Sequence, residues 1–183
     1  MSTITFVIGG ARSGKSAYAA KLACDIAGDR TVVYIATATA NDDEMAKRIA
    51  RHRNERPANW RTIEEPYDVG AAIWSGPAAC PVVLIDCLTL LVTNHMLLYS
   101  ECDEASMIEG NIEQVVAEMI VAAKEATAEV IVVSNEVGLS IVPEYPLARL
   151  FRDVAGRANQ RLAAAADRVV FMVAGIPMVI KGK

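Results

Sequence analysis

The chain carries no excess of positive charge. Its 18 Lys and Arg stand against 22 Asp and Glu, a formal net charge of −4, which removes any general attraction to nucleic acid or to anionic membrane. Any phosphate binding must therefore be local. The 4 cysteines, Cys24, Cys80, Cys87 and Cys102, form no C-x-x-C pair, and a chain of 183 residues needs no disulfides for stability, so reduced thiols in a cytoplasmic protein are expected. No apolar run is long enough for a membrane span: the stretch from Ala71 to Ile85 is broken by Gly76 and Pro77 and closed by Asp86. The start, MSTITFVIGGARSGKS, lacks a basic n-region, and its apolar run ends at a glycine pair too early for a signal peptide. Repeats, low-complexity tracts and linkers are missing too, which leaves one domain over 1–183. Histidine is scarce, with 2 in the chain, yet His52 sits in RIARHRNERP among Arg48, Arg51, Arg53 and Arg56.

What is present is alternation. Short β-rich runs at 4–9, 31–36, 61–65, 82–86, 129–134 and 167–173 alternate with helical segments at 14–27, 42–54, 68–75, 104–127 and 147–165. Most of the strands are apolar on both faces, as central strands covered by helices on each side must be. The pattern predicts an α/β fold, a three-layer sandwich with a mainly parallel central sheet, and IPMVIKG at 176–182 could add a short edge strand.

The first strand runs into GGARSGKS, where Gly9, Gly14, Lys15 and Ser16 satisfy the phosphate-loop pattern G-x-x-x-x-G-K-[ST]. Glycines let backbone N–H groups converge on phosphate oxygens, and the following helix presents its positive end. Lys15 would reach the β and γ phosphates, and the Ser16 hydroxyl would join a Mg²⁺ shell. VVLID ends in Asp86, which suits a second Mg²⁺ ligand; capping a helix that begins near Cys87 is the alternative. The small residues Ala36, Thr37 and Ala38 after the second strand would let a nucleotide approach, or simply make a tight turn.

Around His52, Asn41 or Asp42 can cap a helix that Pro57 stops. A helical wheel places Met45, Ile49 and His52 on one face with Arg48 and Arg56 beside them, and turns Lys47 and Arg51 elsewhere into solvent. The set has the composition of a nucleophile beside a phosphate clamp, against the alternative of a hydrogen-bonded structural histidine.

Taken together, GGARSGKS, IATATANDDEM, RHRNERPANWRT, LIDCLTLLVTN, VSNEVGLSIVPE and FRDVAGRANQRLAAAAD resemble the bifunctional adenosylcobinamide kinase / adenosylcobinamide-phosphate guanylyltransferase family over nearly the whole chain. The resemblance implies a P-loop NTPase-type fold and two reactions. The γ-phosphate of ATP or GTP goes to adenosylcobinamide, and GMP from GTP then goes to adenosylcobinamide phosphate through a guanylylated histidine. That histidine, in RHR-x-x-RP, maps onto His52. Gly9, Gly10, Ala11, Arg12, Ser13, Gly14, Lys15 and Ser16 would hold the phosphates, with Ala36, Thr37, Ala38 and Asp86 beside them. Arg53, Asn54, Glu55, Arg56 and Glu64 would also contact nucleotide. A carboxylate such as Glu64 can accept from N1–H and the exocyclic amine of guanine, and the chain has no N-K-x-D motif to read that base. Asn135 or Glu136 could position the corrinoid hydroxyl, though a turn with Gly138 at positive φ explains the same letters. Arg152, Arg157 and Asn159 could serve a substrate or a subunit contact. The two transfers attack different phosphates, so the helix carrying His52 would move. A homo-oligomer, a trimer, is implied.

Overall fold

Strand formation follows the β-branched runs. The computed structural model describes residues 2–40, 43–54, 56–76, 80–100 and 103–182, the side chains of 44 and 48 excepted. The elements run β1 (Ile4–Gly9), α1 (Lys15–Ala27), β2 (Val32–Ala36), α2 (Asp43–Asn54), β3 (Arg61–Glu64), α3 (Val69–Trp74), β4 (Val82–Asp86), α4 (Leu88–Met96), α5 (Ala105–Glu125), β5 (Glu129–Asn135), α6 (Pro146–Ala165), β6 (Arg168–Val173) and β7 (Ile176–Lys181). They build a seven-stranded sheet in the order β3-β2-β4-β5-β1-β6-β7, parallel throughout except for β7, which pairs antiparallel with β6. The all-apolar strands are the central ones: β1 and β2 are buried along their whole length, whereas β7 at the edge is exposed along its own.

Side-chain alternation divides the core into two layers. Ile4, Phe6, Ile8, Val33, Ile35, Val130 and Val132 pack against α3, α4, α5 and α6, while Val7, Val32, Val82, Ile131 and Val133 pack against α1. Helix α1 meets the sheet with Ala19, Ala23 and Ala27, a row of small residues four apart that lets the helix lie close. The result is the expected three-layer sandwich.

One helix was absent from the expected segments. Residues 88–96, LTLLVTNHM, form α4, and seven of them are buried: Leu88, Thr89, Leu91, Val92, Asn94, His95 and Met96. A helix covered on most sides shows no amphipathic period, so its sequence gives no helical stripe to find. Its N-cap is Cys87, without a side-chain cap bond. Asp86 therefore does not cap it, and its carboxylate is engaged elsewhere. Residues 41 and 42, assigned to capping α2, lie outside the described residues, as does Cys102.

Because Leu91 is 0% exposed between sheet and helices, Leu91→Ala should cost roughly 3 kcal/mol of stability, read as a lowered denaturant midpoint.

Candidate active site

Every strand of the parallel set ends at one edge, and that edge carries the loop between β1 and α1. Crowding shapes this loop. A Cβ at Gly9 would lie 2.6 Å from both the Met172 carbonyl oxygen and Ser13 Oγ, so a side chain there has no room. Gly14 has φ 89°, a conformation that glycine adopts without a Cβ penalty, and a Cβ there would come within 3.2 Å of Gly175 Cα. The β6–β7 turn, with Ala174 and Gly175 both at positive φ, braces the loop: the Gly175 N–H donates to the Ser13 carbonyl at 3.0 Å.

The loop's polar groups are arranged for an anion. Helix α1 begins without a side-chain cap, leaving its N-terminal N–H groups to a ligand. Ser13 Oγ is buried with no hydrogen-bond partner among the described residues, as fits a hydroxyl whose partner is a ligand oxygen. Lys15 is 9% exposed, and its Nζ donates to the Gly10 carbonyl at 3.0 Å, which folds it over the loop.

The loop from Ala11 to Ser16 and the helix α2 line one cavity of about 860 Å³. Its basic side chains are Arg12, Lys15, Lys47, Arg51 and Arg56, and its acidic one is Asp86. In a chain of net charge −4, this is a concentrated positive field at one cleft, suited to a triphosphate. A smaller cavity of about 130 Å³ adjoins it, where Met45, Ile49 and His52 of α2 meet Lys15, Asp86 and Asn135. His52, half-buried, lines both.

The wheel thus placed Met45, Ile49 and His52 correctly, but Lys47 and Arg51 need correcting. Both are exposed, yet the solvent they face is the cleft itself, because the site lies on the flank of α2 that looks toward the loop. Arg56 lies beyond the end of α2, where a wheel has no authority. Its guanidinium stacks on the Tyr34 ring with Cζ 3.5 Å from the centroid, and Nη1 donates to Thr62 Oγ1 at 3.1 Å. Tyr34 Oη in turn donates to Asp86 Oδ2 at 2.8 Å. Burial, and then the negative charge of Asp86, push the Tyr34 phenol above its ordinary range, which keeps it a donor. Trp60 packs at 6.1 Å from Tyr34 and also lines the larger cavity. These two aromatics were not among the expected site residues. The available signal was Tyr34 itself, a hydroxylated ring in an otherwise aliphatic strand, whose O–H must find a partner when buried.

Other expected residues divide. Ala36 and Ala38 line the smaller cavity. Thr37 between them is 0% exposed and fully used: Oγ1 donates to the Cys87 carbonyl at 2.8 Å and accepts from the Cys87 N–H at 2.7 Å, while Asn94 Nδ2 donates to its carbonyl at 2.7 Å. It ties the end of β2 to the end of β4. Gly9 and Gly10 shape the loop and lie outside both cavity linings. Arg53, Asn54 and Glu64 also lie outside them, and Arg53 Nη1 instead approaches Glu64 Oε1 at 3.6 Å, an exposed pair of little energetic weight. Glu55 and the Arg48 side chain lie outside what the structure describes. Gly138 is not among the positive-φ glycines; the Glu136 carboxylate closes its turn by accepting from the Gly138 N–H.

For a metal, no group of three or more His, Cys, Asp or Glu is assembled among the described residues. Ser16 and Asp86 both line the two cavities, and they supply a hydroxyl and a carboxylate oxygen. Hard oxygen donors completed by phosphates are what Mg²⁺ takes, so the donor set fits.

Residues 5–180 match the CobU family, described as cobinamide kinase / cobinamide phosphate guanyltransferase. The bifunctional adenosylcobalamin biosynthesis protein CobP of Pseudomonas aeruginosa is 44% identical over 177 residues, covering 97% of this chain and 96% of that one. The bifunctional adenosylcobalamin biosynthesis proteins CobU of Salmonella typhimurium and Escherichia coli are each 45% identical over 181 residues, covering 96% of this chain and 98% of theirs. Among solved structures, the flagellar accessory protein FlaH from Methanocaldococcus jannaschii aligns with TM-score 0.55 at 12% identity, over 99% of this chain and 79% of that one. A solved ATPase domain aligns with TM-score 0.54 at 18% identity, over 92% of this chain and 68% of that one. At those identities the likeness is one of fold.

Burial and the neighbouring Asp86 charge push the Cys87 thiol from 9.0 up to about 12. The fold therefore favours the protonated thiol, so this contribution is fully present below about pH 9 and is lost as pH climbs toward 12. Denaturant midpoints at about pH 8 and about pH 10.5 should show a smaller alkaline loss for Cys87→Ala than for the parent chain.

Proposed function

The chain belongs to the cobinamide kinase / cobinamide phosphate guanyltransferase family, and on that premise we propose how its residues divide the two transfers. It is a kinase and a guanylyltransferase of cobalamin biosynthesis, phosphorylating adenosylcobinamide and then converting the phosphate to adenosylcobinamide-GDP. The observation that carries the division of labour is the shared cleft, with Lys15, Ser16 and Asp86 from the sheet edge and His52 from α2 lining the same two cavities.

In the kinase step, the substrate hydroxyl oxygen forms a bond to the γ-phosphorus of ATP or GTP as the β–γ bridging P–O bond breaks. The nucleoside diphosphate keeps the electron pair, and the hydroxyl proton passes to solvent. Lys15 and the loop N–H groups hold the phosphates in line. Ser16 and Asp86 would hold Mg²⁺, which when bound neutralises charge on the phosphate oxygens.

In the guanylyl step, a ring nitrogen of His52 forms an N–P bond to the α-phosphorus of GTP while the α–β bridging P–O bond breaks and pyrophosphate leaves. An oxygen of cobinamide phosphate then attacks the same phosphorus, and the N–P pair returns to the ring. Arg51, Arg56 and Lys47 offset the charge that develops. A shift of α2 toward the loop would bring His52 in line with the α-phosphorus for this step and leave the γ-phosphate open to the substrate hydroxyl in the other. Arg53, Asn54 and Glu64 would join the nucleotide only in that shifted arrangement, with Glu64 exchanging Arg53 for the guanine edge, and Glu55 is assigned to the nucleotide on the family resemblance alone.

We read 1–183 as a single nucleotide-binding domain, which the continuous sheet supports. We place it in the cytoplasm with its nucleotide substrates; no described helix is long and apolar enough to cross a membrane. We propose a homo-oligomer, a trimer as the family resemblance implies; exposed apolar side chains such as Leu139 (84%) and Ile141 (93%) support self-association.

Incubation with α-labelled GTP tests the reading. The label should become bound in a base-stable, acid-labile form, His52→Ala should abolish it, and phosphorylation of adenosylcobinamide should stay within a few-fold. Equal loss of both activities would remove His52 from the nucleophile's role. Lys15→Ala should lower both rates, by about 100-fold or more.

A further inference from the structure

Between β1, which leads into the phosphate loop, and β4, which ends in Asp86, runs β5, and its last residue is Asn135. Register sets Asn135 opposite Gly9. Alternation along β5 turns Ile131 and Val133 toward the α1 layer and Ser134 away from it, so the Asn135 side chain falls on the α1 side, where it lines the smaller cavity with Lys15, Ser16, Asp86 and His52.

Its backbone is held by a closed ring of hydrogen bonds. The Asn135 N–H donates to Thr89 Oγ1 at 2.6 Å, Thr89 Oγ1 lies 3.0 Å from Ser134 Oγ, and Ser134 Oγ donates to Asn159 Oδ1 at 2.7 Å. Asn159 Nδ2 then donates to the Asn135 carbonyl at 3.1 Å. Since the Ser134 proton goes to Asn159, Thr89 must be the donor to Ser134, and every step has one direction. Thr89, Ser134 and Asn159 are 6%, 1% and 7% exposed, so a break in the ring strands a buried polar group. The ring draws on α4, β5 and α6, and it begins and ends on the Asn135 peptide. Buried polar groups are costly, and these converge on one residue at the mouth of the site.

We propose that the Asn135 side-chain amide donates to the terminal phosphate of the nucleotide in the loop during phosphoryl transfer, and that Thr89, Ser134 and Asn159 are positioning residues for it. Lys15, Ser16 and Asp86 belong to the β,γ end of a nucleotide in such a loop, and Asn135 shares their cavity. As the new P–O bond to the substrate hydroxyl forms and the β–γ bridging bond breaks, the amide holds an equatorial oxygen of the transferring group. In guanylyl transfer the same amide touches only the departing pyrophosphate. The proposal rests on the two-transfer reading above, so both transfers are measured in the same preparations.

Asn135→Ala should lower kcat for γ-phosphoryl transfer to adenosylcobinamide by about 100-fold, while the initial rate of GMP labelling falls by less than about 10-fold. Thr89→Val should lower the phosphoryl-transfer kcat by about 10-fold with KM for the nucleotide little changed, and Thr89→Ser, which keeps the hydroxyl, should restore it. Thermal unfolding of each variant identifies any that fails to fold, and Asn135→Ala, at a half-buried edge position, leaves the ring's backbone bonds in place. Unchanged phosphoryl transfer in Asn135→Ala, or an equal fall in both transfers, would overturn the proposal. A parent protein that takes up no acid-labile GMP would instead overturn the histidine reading, and the phosphoryl-transfer comparison would still decide the role of Asn135.

Discussion

The site depends on how closely one backbone can approach another at the end of β1. Gly9 lies against the Met172 carbonyl with no space for a side chain, and Gly14 lies against the turn at Gly175. This contact between the loop and the β6–β7 hairpin fixes where α1 begins, and so where its uncapped N–H groups point. An antiparallel edge hairpin on a parallel sheet thereby acquires a purpose. Its exposed residues add little to the core, and its turn braces the anion site.

The cleft exists because α2 is held differently from the other helices. Helix α1 is seated on the sheet by buried alanines, and α3 to α6 share a large apolar layer. By contrast, α2 offers Met45 and Ile49 to the small cavity, while Lys47 and Arg51 border the large one. Few apolar contacts and many charges make such a helix easy to displace, and mobile functional elements are drawn from weakly packed segments of this kind. The same feature that leaves room for a nucleotide would let His52 move relative to the phosphate loop.

Two polar assemblies hold the ends of the strands. One runs from Thr62 through Arg56 and Tyr34 to Asp86, joining the segment after α2 to the carboxylate at the end of β4. The other is the ring from Thr89 through Ser134 and Asn159 to both sides of the Asn135 peptide. Arg56 Nε remains buried without a partner among the described residues. The first assembly lies on the α1 face and the second on the opposite face, so the strand ends are fixed from both sides while the cleft stays open.

Local chemistry explains what was legible in the sequence. The phosphate loop, Asp86 and the apolar central strands could be read directly, because glycine spacing and β-branched runs act within a few residues of themselves. His52 could be turned inward from helical periodicity alone. The helix at 88–96 could not be seen, since burial on most sides erases its period, and Lys47 and Arg51 were misjudged because solvent exposure does not distinguish a cleft from an outer surface. The Thr37 side chain, in a segment read as a nucleotide neighbour or a tight turn, ties β2 to β4. Tyr34 and the ring around Asn135 depended on hydrogen bonds between residues 24 to 52 positions apart, from Asn159–Asn135 to Tyr34–Asp86, and Trp60 on its packing against Tyr34. The sequence by itself determined the loop, the layers and the helix that carries His52; only the tertiary structure decided which charges face the same cavity, because that depends on which strand ends become neighbours.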